Sequence, residues 1–203
     1  MNPNLILITE EINFGQLQRG EVTPVEVYKQ QMNKWLFVPI KHLANLHEYD
    51  KDIRFSHGYA VFALQLMFFE PHGKYLKGTA EGTASSNFKE GFNRFQEFLL
   101  EKEYINNTTN TRLASLDFYR ATRCGIYHSF TMDSKILIDS RKDVSKNVFE
   151  LTSEEKVLVY PWNFTNALEE YFDHYLNLLK NSNNAELKQN FQKTFTKLFT
   201  LKH

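Results

Sequence analysis

The chain has 203 residues, of which 42% are hydrophobic and 15% aromatic, so it carries enough apolar side chain for one compact core and is not a disordered chain. Lys plus Arg and Asp plus Glu number 24 each, which excludes the long-range positive field of a protein that holds nucleic acid through many phosphate contacts. Any binding of RNA must therefore depend on a local patch of positive charge.

Cysteine content and hydropathy predict a cytoplasmic protein. Cys124 is the only cysteine, so an intramolecular disulfide is excluded and a reducing compartment suits the chain. We expect no signal peptide, because no basic region precedes the N-terminal apolar run. The strongest apolar stretch, 59–69, ends at Glu70-Pro71 and is too short to span a membrane. The histidines lack metal-binding spacing and one thiol cannot build a zinc site, so we expect no metal and no cofactor.

The N-terminal part of the chain predicts two helices, the first of them interrupted. Residues 23–26, Thr-Pro-Val-Glu, combine an N-cap, a proline at the first helical position and a capping-box glutamate. The helix that follows is expected over 24–38, with Pro39 kinking or splitting it before a second part over 40–48. A nearly continuous apolar run then predicts a helix over 56–70 that is buried on most sides.

A polar loop and an aromatic helix follow. Residues 78–86 are small and polar without periodicity, which predicts an exposed loop, and they lack the Gly-Lys-Ser/Thr of a phosphate-binding P-loop. Asn87 and Glu90 are expected to begin the next helix. One face of that helix is predicted to be core, and it consists of Phe88, Phe92, Phe95, Phe98 and Leu99.

The second half predicts three more helices and a small hairpin. One helix is expected over 111–130, after an Asn-Thr loop over 106–110. Short β-type runs follow at 136–138, 147–151 and 157–160. Asn163 is expected to cap a helix that ends near residue 181 and buries Phe164, Leu168, Tyr171, Phe172, Tyr175 and Leu179. With a last helix over 185–201, the predicted fold is all-α, an up-and-down helical bundle with a small β-hairpin before the C-terminal helices, in one domain over 1–203.

The predicted 111–130 helix has one polar face. At about 100° per residue, this face spans about 140° of arc and carries Arg120, Arg123, Cys124, Tyr127 and His128. Guanidinium groups bind phosphate oxygens bidentately and an imidazole titrates near neutrality, so the set suits cleavage of RNA through its own 2′-hydroxyl without a metal. The alternative that spacing alone leaves open is a solvated helix face.

Two residues of this helix predict that it is covered by a second copy of the chain. Gly125 in a helix interior costs about 1 kcal/mol relative to Ala, which points to a close approach by another backbone. Cys124 belongs to a residue type that prefers burial. We therefore expect a homodimer with Cys124 and Gly125 at the contact. A cysteine nucleophile activated by His128, one turn away, is a weaker alternative, and Glu70 is either an acid in the cleft or a solvated carboxylate.

The segment Phe-Tyr-Arg-Ala-Thr-Arg-Cys-Gly-Ile-Tyr-His, residues 118–128, resembles the "R-C-G-L-L-H" helix of a bacterial HEPN-like family. The likeness covers about residues 55–180 and includes the hairpin and the helix that follows Tyr-Pro-Trp-Asn at 160–163. HEPN nucleases are helical bundles that dimerise so that two Arg-x4-6-His motifs face a shared cleft. The resemblance therefore implies Arg123 and His128 as a catalytic pair.

The activity implied by the resemblance is that of a metal-independent endoribonuclease, a toxin or phage-defence effector with RNA or a nucleotide as ligand and an antitoxin protein as partner. Helix geometry adds Arg120 and Tyr127 as substrate-binding residues. Many active members carry Asn, Asp or His after the motif Arg, where this chain has Cys124, and related sequences often have an acidic residue at the place of Ser129. The alternatives to an active nuclease are a non-catalytic nucleotide- or RNA-binding or dimerisation module, which the neutral net charge favours, and a dimeric scaffold without a ligand.

Overall fold

Helices make up most of the computed structural model, which describes residues 7–46, 54–129, 131–141, 145–181 and 183–200. The helices are α1 (Phe14–Gln18), α2 (Pro24–Met32), α3 (Val38–Leu46), α4 (Arg54–Leu66), α5 (Phe69–Lys77), α6 (Ala84–Glu101), α7 (Asn107–Ser115), α8 (Gly125–Ser129), α9 (Pro161–Lys180) and α10 (Ala185–Thr200). Two π-helical turns, Asn33–Phe37 and Tyr119–Cys124, precede α3 and α8. The strands are β1 (Ile136–Ile138), β2 (Phe149–Leu151) and β3 (Val157–Val159).

The capping box at the start of α2 is confirmed. The Thr23 hydroxyl accepts from the Glu26 amide at 3.2 Å, and the Glu26 carboxylate accepts from the Thr23 amide at 2.7 Å. The expected kink or split at Pro39 takes another form, because Pro39 lies inside the first turn of α3 and the interruption is the π-helical turn Asn33–Phe37 that precedes it. The wide π-helical turn just before it, in which Val38 N–H donates to Asn33 O, absorbs the distortion that proline imposes on the preceding turn. Residues 47 and 48 of the predicted second part lie outside the described residues.

The apolar helix predicted over 56–70 is in fact two helices. A turn at Met67 and Phe68 separates α4 from α5, and Pro71 falls inside the first turn of α5. Proline is tolerated there because the N–H it lacks has no partner within the helix. The carboxylate of Glu70 therefore lies at the start of a helix, where the sequence had predicted an end.

Helix α6 begins four residues earlier than predicted. The Thr83 hydroxyl, rather than Asn87, caps it by accepting from the Ser86 amide at 3.1 Å. Its predicted core face is confirmed as buried. Glycines bring α5 and α6 into backbone contact, since a Cβ at Gly73 would collide with the Asn87 carbonyl and a Cβ at Gly91 with that of Phe69.

The single helix predicted over 111–130 is wrong. Asn106 caps α7 by accepting from the Thr109 amide at 2.8 Å, so the helix starts earlier, and Leu116 ends it in an extended conformation. A second helix then begins, with the Asp117 carboxylate accepting from the Arg120 amide. Residue 130 lies outside the described residues.

The strands form a three-stranded sheet in the order β1-β3-β2. The hairpin consists of β2 and β3, which are antiparallel, while β1 joins β3 in parallel, so the three predicted runs form strands but the first does not lie in the hairpin. Tyr160 is not in a strand but precedes α9, which Pro161 begins. Asn163 is therefore not the cap, and its amide instead donates to the backbone carbonyl oxygens of Ser145 and Asn147.

The core lies between α5, α6 and α9. The predicted apolar face of α9 is buried throughout. Phe69 is fully buried and its ring contacts those of Phe88, Phe92, Phe95 and Phe164 at centroid distances from 5.3 to 6.0 Å. Aromatic pairs in such tilted and edge-on arrangements stabilise a core beyond their buried area alone. The described chain contains no helix that is long and apolar enough to cross a membrane.

Candidate functional site around Arg123

Arg123 lies on the π-helical turn with its guanidinium between two tyrosine rings. Its central carbon is 5.4 Å from the ring centroid of Tyr119 and 5.3 Å from that of Tyr127, distances at which a cation is attracted to an aromatic face. Both rings are four residues away along the helix, so they occupy the turns before and after Arg123. Arg123 Nη1 also donates to the Tyr119 hydroxyl at 3.2 Å.

The acidic partner of Arg123 comes from α5. Its Nη2 donates to Glu70 Oε2 at 2.6 Å, and the two side chains are 24% and 21% exposed. Lys74, one turn further along α5, places its Nζ 3.8 Å from the other Glu70 oxygen. The Nε of Arg123 is buried and makes no hydrogen bond to the residues that the structure describes. The guanidinium is thus fixed from three sides, and Glu70 is not the solvated carboxylate of the alternative interpretation.

The tyrosines on either side of Arg123 are neutral phenols at physiological pH. Tyr127 is 41% exposed and its hydroxyl donates to the Ala63 carbonyl at 2.9 Å, which joins α8 to α4. Burial raises the pKa of Tyr127, and the charge of Arg123 partly offsets this. Burial, and then a hydrogen bond with the Cys124 thiol, raise the pKa of Tyr119. The two phenols therefore bind and orient Arg123 rather than exchange protons near neutral pH.

His128 follows Tyr127 on α8 and is exposed. Neither ring nitrogen makes a hydrogen bond to any residue that the structure describes. An imidazole at the surface can form hydrogen bonds with a ligand through either ring nitrogen. The side chain of Ser129, the next residue, is outside what the structure describes.

Arg120 is separated from this arrangement. It is exposed and lines a groove of about 420 Å³ with Lys135, Gly125 and Thr131, and neither Arg123 nor His128 is in that lining. The predicted polar face assumed the α-helical period, whereas residues 119–124 form a wider π-helical turn. The structure therefore brings Arg123, Tyr127 and Glu70 together and leaves Arg120 in a different groove.

The close approach expected at Gly125 is made within the chain. A Cβ at Gly125 would collide with the carbonyl oxygen of Thr131, whose amide donates to the Gly125 carbonyl at 3.2 Å. The Asp133 amide donates to the carbonyl of Ala121 at 2.9 Å, so the segment after α8 folds back over the motif helix. Cys124 is partly buried within the same chain. A dimer contact at Cys124 and Gly125 stays a prediction, but the observation that motivated it now has another explanation.

A buried histidine forms a second polar cluster that the sequence analysis missed. His72 is fully buried on α5, with its Nε2 2.8 Å from the Tyr171 hydroxyl and its Nδ1 3.3 Å from that of Tyr28. Burial lowers the pKa of His72 to about 3. The signal in the sequence is its spacing from Phe68, Phe69 and Tyr75, which places His72 on the apolar face of the helix. This ring holds three helices together in a neutral state.

Within the described ranges, His, Cys, Asp and Glu side chains do not gather in a group of three or more that could hold a metal ion. Comparisons with models of known protein families, with curated protein sequences and with solved structures find no match for this chain.

Proposed function

We propose that the protein is a metal-independent endoribonuclease of HEPN type, with an up-and-down HEPN-like bundle, that cuts RNA at a cleft between two copies of the chain and acts as a toxin or phage-defence effector. The observation that carries the proposal is a guanidinium fixed by Glu70, Tyr119 and Tyr127, five residues before an exposed histidine that makes no hydrogen bond to the described residues. Arg123 and His128 then have the roles that the motif implies.

Arg123 binds the scissile phosphate in this proposal. A guanidinium has five N–H donors, and Glu70 and Tyr119 take one each, from different terminal nitrogens. Both terminal nitrogens therefore keep one donor for phosphate oxygens. Glu70 positions the group, and Arg123 stabilises the charge that develops on the phosphate during attack by the 2′-hydroxyl.

His128 moves protons in this proposal. An exposed imidazole takes the proton from the attacking 2′-hydroxyl or supplies one to the leaving 5′-oxygen, steps that general acid–base catalysis accelerates by about 10² to 10⁴-fold. The reaction uses the hydroxyl of the substrate, so its products end in a 2′,3′-cyclic phosphate. Tyr127, partly exposed next to Arg123, offers a ring on which a base can stack.

A second candidate is a non-catalytic module that binds RNA or a nucleotide. It is favoured by the ion pair itself, because a phosphate must compete with the Glu70 carboxylate for a guanidinium that is only 24% exposed. The ribonuclease candidate implies an antitoxin protein as a partner, and both candidates imply a homodimer.

The decisive experiment incubates purified protein with mixed RNA in excess EDTA and resolves the products on a gel. Wild-type protein should cut the RNA, His128→Ala should lose the rate but keep most of the RNA affinity, and Arg123→Lys should bind but cut poorly because it lacks the bidentate fork. His42→Ala removes another exposed histidine, on α3, and should cut like wild type. Cleavage that persists in His128→Ala, or that appears only with added Mg²⁺, Mn²⁺ or Zn²⁺, would contradict the proposal. RNA binding without cleavage in all four proteins would favour the second candidate.

A further inference from the structure

Lys74 on α5 belongs to the group around Arg123, and no step of the proposed reaction uses it. Glu70 lies between the two cations. Its Oε2 accepts from Arg123 Nη2 at 2.6 Å, and its Oε1 is 3.8 Å from Lys74 Nζ. The first distance is that of a charge-assisted hydrogen bond, whereas the second is too long for a hydrogen bond. Lys74 is therefore the less engaged of the two cations, and neither pairs with a further acid among the described residues.

The charges of this group do not cancel. Two cations and one carboxylate leave one net positive charge, and the three side chains are each between 21% and 24% exposed. Salt screens partly buried charges less than fully exposed ones. The chain as a whole is neutral, so its affinity for nucleic acid must come from a local excess of positive charge. This group supplies such an excess at the candidate site itself.

The backbone of α5 holds Lys74 in place. The Lys74 carbonyl oxygen accepts from the hydroxyl of Thr194, on α10, at 3.0 Å. The preceding residue, Gly73, lies against the Asn87 carbonyl of α6, so α5 is fixed by two neighbouring helices at this point. Glu70 is one helical turn before Lys74, which places both side chains on one face of α5. Charged groups on a rigid element bind a ligand without first having to be ordered.

We propose that Lys74 is a second ligand of the phosphate group that Arg123 binds, and that Glu70 competes with this phosphate for both cations. A phosphate, like a carboxylate, presents two oxygens side by side, so two cations that bracket one anion also bracket the other. Arg123 binds through its planar fork and Lys74 as a point charge, so they contact different oxygens. The inference rests on the proposed function only in that Arg123 contacts the RNA backbone.

Binding of a fluorescent 2′-O-methyl RNA oligonucleotide, measured by anisotropy in EDTA at several salt concentrations, tests the inference apart from cleavage. The blocked 2′-oxygen cannot attack the phosphate, so only affinity is measured. Lys74→Met removes one charge at contact distance and should raise the Kd about five-fold. It should also reduce the slope of log K against log salt by about 0.7, the contribution of one phosphate contact on a single strand.

Glu70→Gln should change the affinity in the opposite direction. The glutamine oxygen still accepts from Arg123, but the competing charge is gone, so the Kd should fall about five-fold. Loss of folding cannot imitate tighter binding. Lys74→Arg should keep the wild-type salt slope, because it keeps the charge. Lys29→Met, which removes an exposed lysine from α2, should keep both the slope and the Kd.

The double variant Glu70→Gln/Lys74→Met shows how Lys74 acts. If Lys74 contacts the phosphate, its loss weakens binding about five-fold in the Glu70→Gln protein as well. If Lys74 only neutralises Glu70, its loss has no effect once that charge is removed, and the inference is wrong.

Four other results would overturn the inference. They are no binding of the oligonucleotide by wild type, an unchanged salt slope in Lys74→Met, weaker binding by Glu70→Gln than by wild type, and equal losses in Lys29→Met, which would indicate diffuse attraction to surface lysines. Failure of the ribonuclease proposal gives a different pattern. Ordinary RNA would then stay intact while the four variants change the affinity as expected, and the phosphate site would stand without the reaction.

Discussion

The buried His72 should make the stability of the protein fall steeply in mild acid. The groups that face its ring are phenols and phenyl rings, from Tyr28, Phe68, Tyr171 and Tyr175, so nothing near it compensates a positive charge. Its pKa is about 3 in the folded protein and 6.5 when exposed. The lowered pKa means that the unfolded chain takes up a proton first. Stability is therefore fully present above pH 6.5 and is lost as the pH falls toward 3.

The magnitude follows from the two pKa values. At pH 4 the His72 ring is still neutral in the folded protein but protonated in the unfolded chain. The loss of stability at pH 4 is therefore set by the difference between pH 4 and the unfolded pKa of 6.5. Each pH unit corresponds to about 1.4 kcal/mol, which gives a loss of about 3 kcal/mol between pH 7 and pH 4 from this residue alone. That is a large fraction of the free energy of unfolding of an ordinary domain.

Urea unfolding followed by circular dichroism at pH 7, 5.5 and 4 measures this loss. His72→Gln cannot titrate, so its stability should fall between pH 7 and pH 4 by about 3 kcal/mol less than that of wild type, whatever its stability at pH 7. His42→Gln, at an exposed position on α3, should keep the wild-type dependence. A His72→Gln protein with the same pH dependence as wild type would refute the reasoning, because His72 would then titrate normally in the fold.

Other predictions concern the site and its supports. Glu70→Gln should lower the free energy of unfolding by about 1 kcal/mol in urea titrations, because it removes a charged partner of Arg123; an unchanged value would mean that the ion pair contributes nothing. Gly125→Leu should lower the melting temperature, at a cost of about 2 kcal/mol, because its side chain meets the Thr131 carbonyl; wild-type melting combined with a loss of dimer in sedimentation would instead restore the dimer contact. Thr83→Ala should cost about 1 kcal/mol through loss of the α6 cap, and an equal loss in the neighbouring Ser85→Ala would argue against capping as the cause.

Local sequence signals predicted the helices whose causes are local. The capping box at 23–26 and the aromatic spacing of α6 and α9 each depend on residues within a turn or two, so the sequence contains them in full. The predicted helix end at Glu70 was wrong because a proline can follow the end of a helix or occupy its first turn, and Pro71 does the latter. The motif helix was predicted too long because the break at Leu116 was missed, although the Asp117 carboxylate that accepts from the Arg120 amide is a local signal for a new helix start.

The candidate site likewise combines contacts that local spacing predicts with contacts that depend on tertiary packing. The contact between Arg123 and Tyr127 follows from their spacing of four residues, which the sequence states directly. Glu70 is 53 residues from Arg123 in the chain, so only the packing of α5 beside the motif helix brings the two together. Arg120 was misplaced because the period assumed for its turn was that of an α-helix, and no local pattern marks a π-helical turn.

The backbone contact between α5 and α6 makes the position of the Glu70 carboxylate depend on Gly91, a residue of another helix. Gly91 touches no functional side chain, yet the carbonyl that occupies the space of its missing Cβ belongs to Phe69, the residue next to Glu70. A methyl group there must push that end of α5 away and carry Glu70 with it. Under the proposed function as a toxin, substitutions of Gly91 should therefore accompany those of Arg123 and His128 in a genetic selection for escape from toxicity, although a map of surface residues would give no reason to look at Gly91.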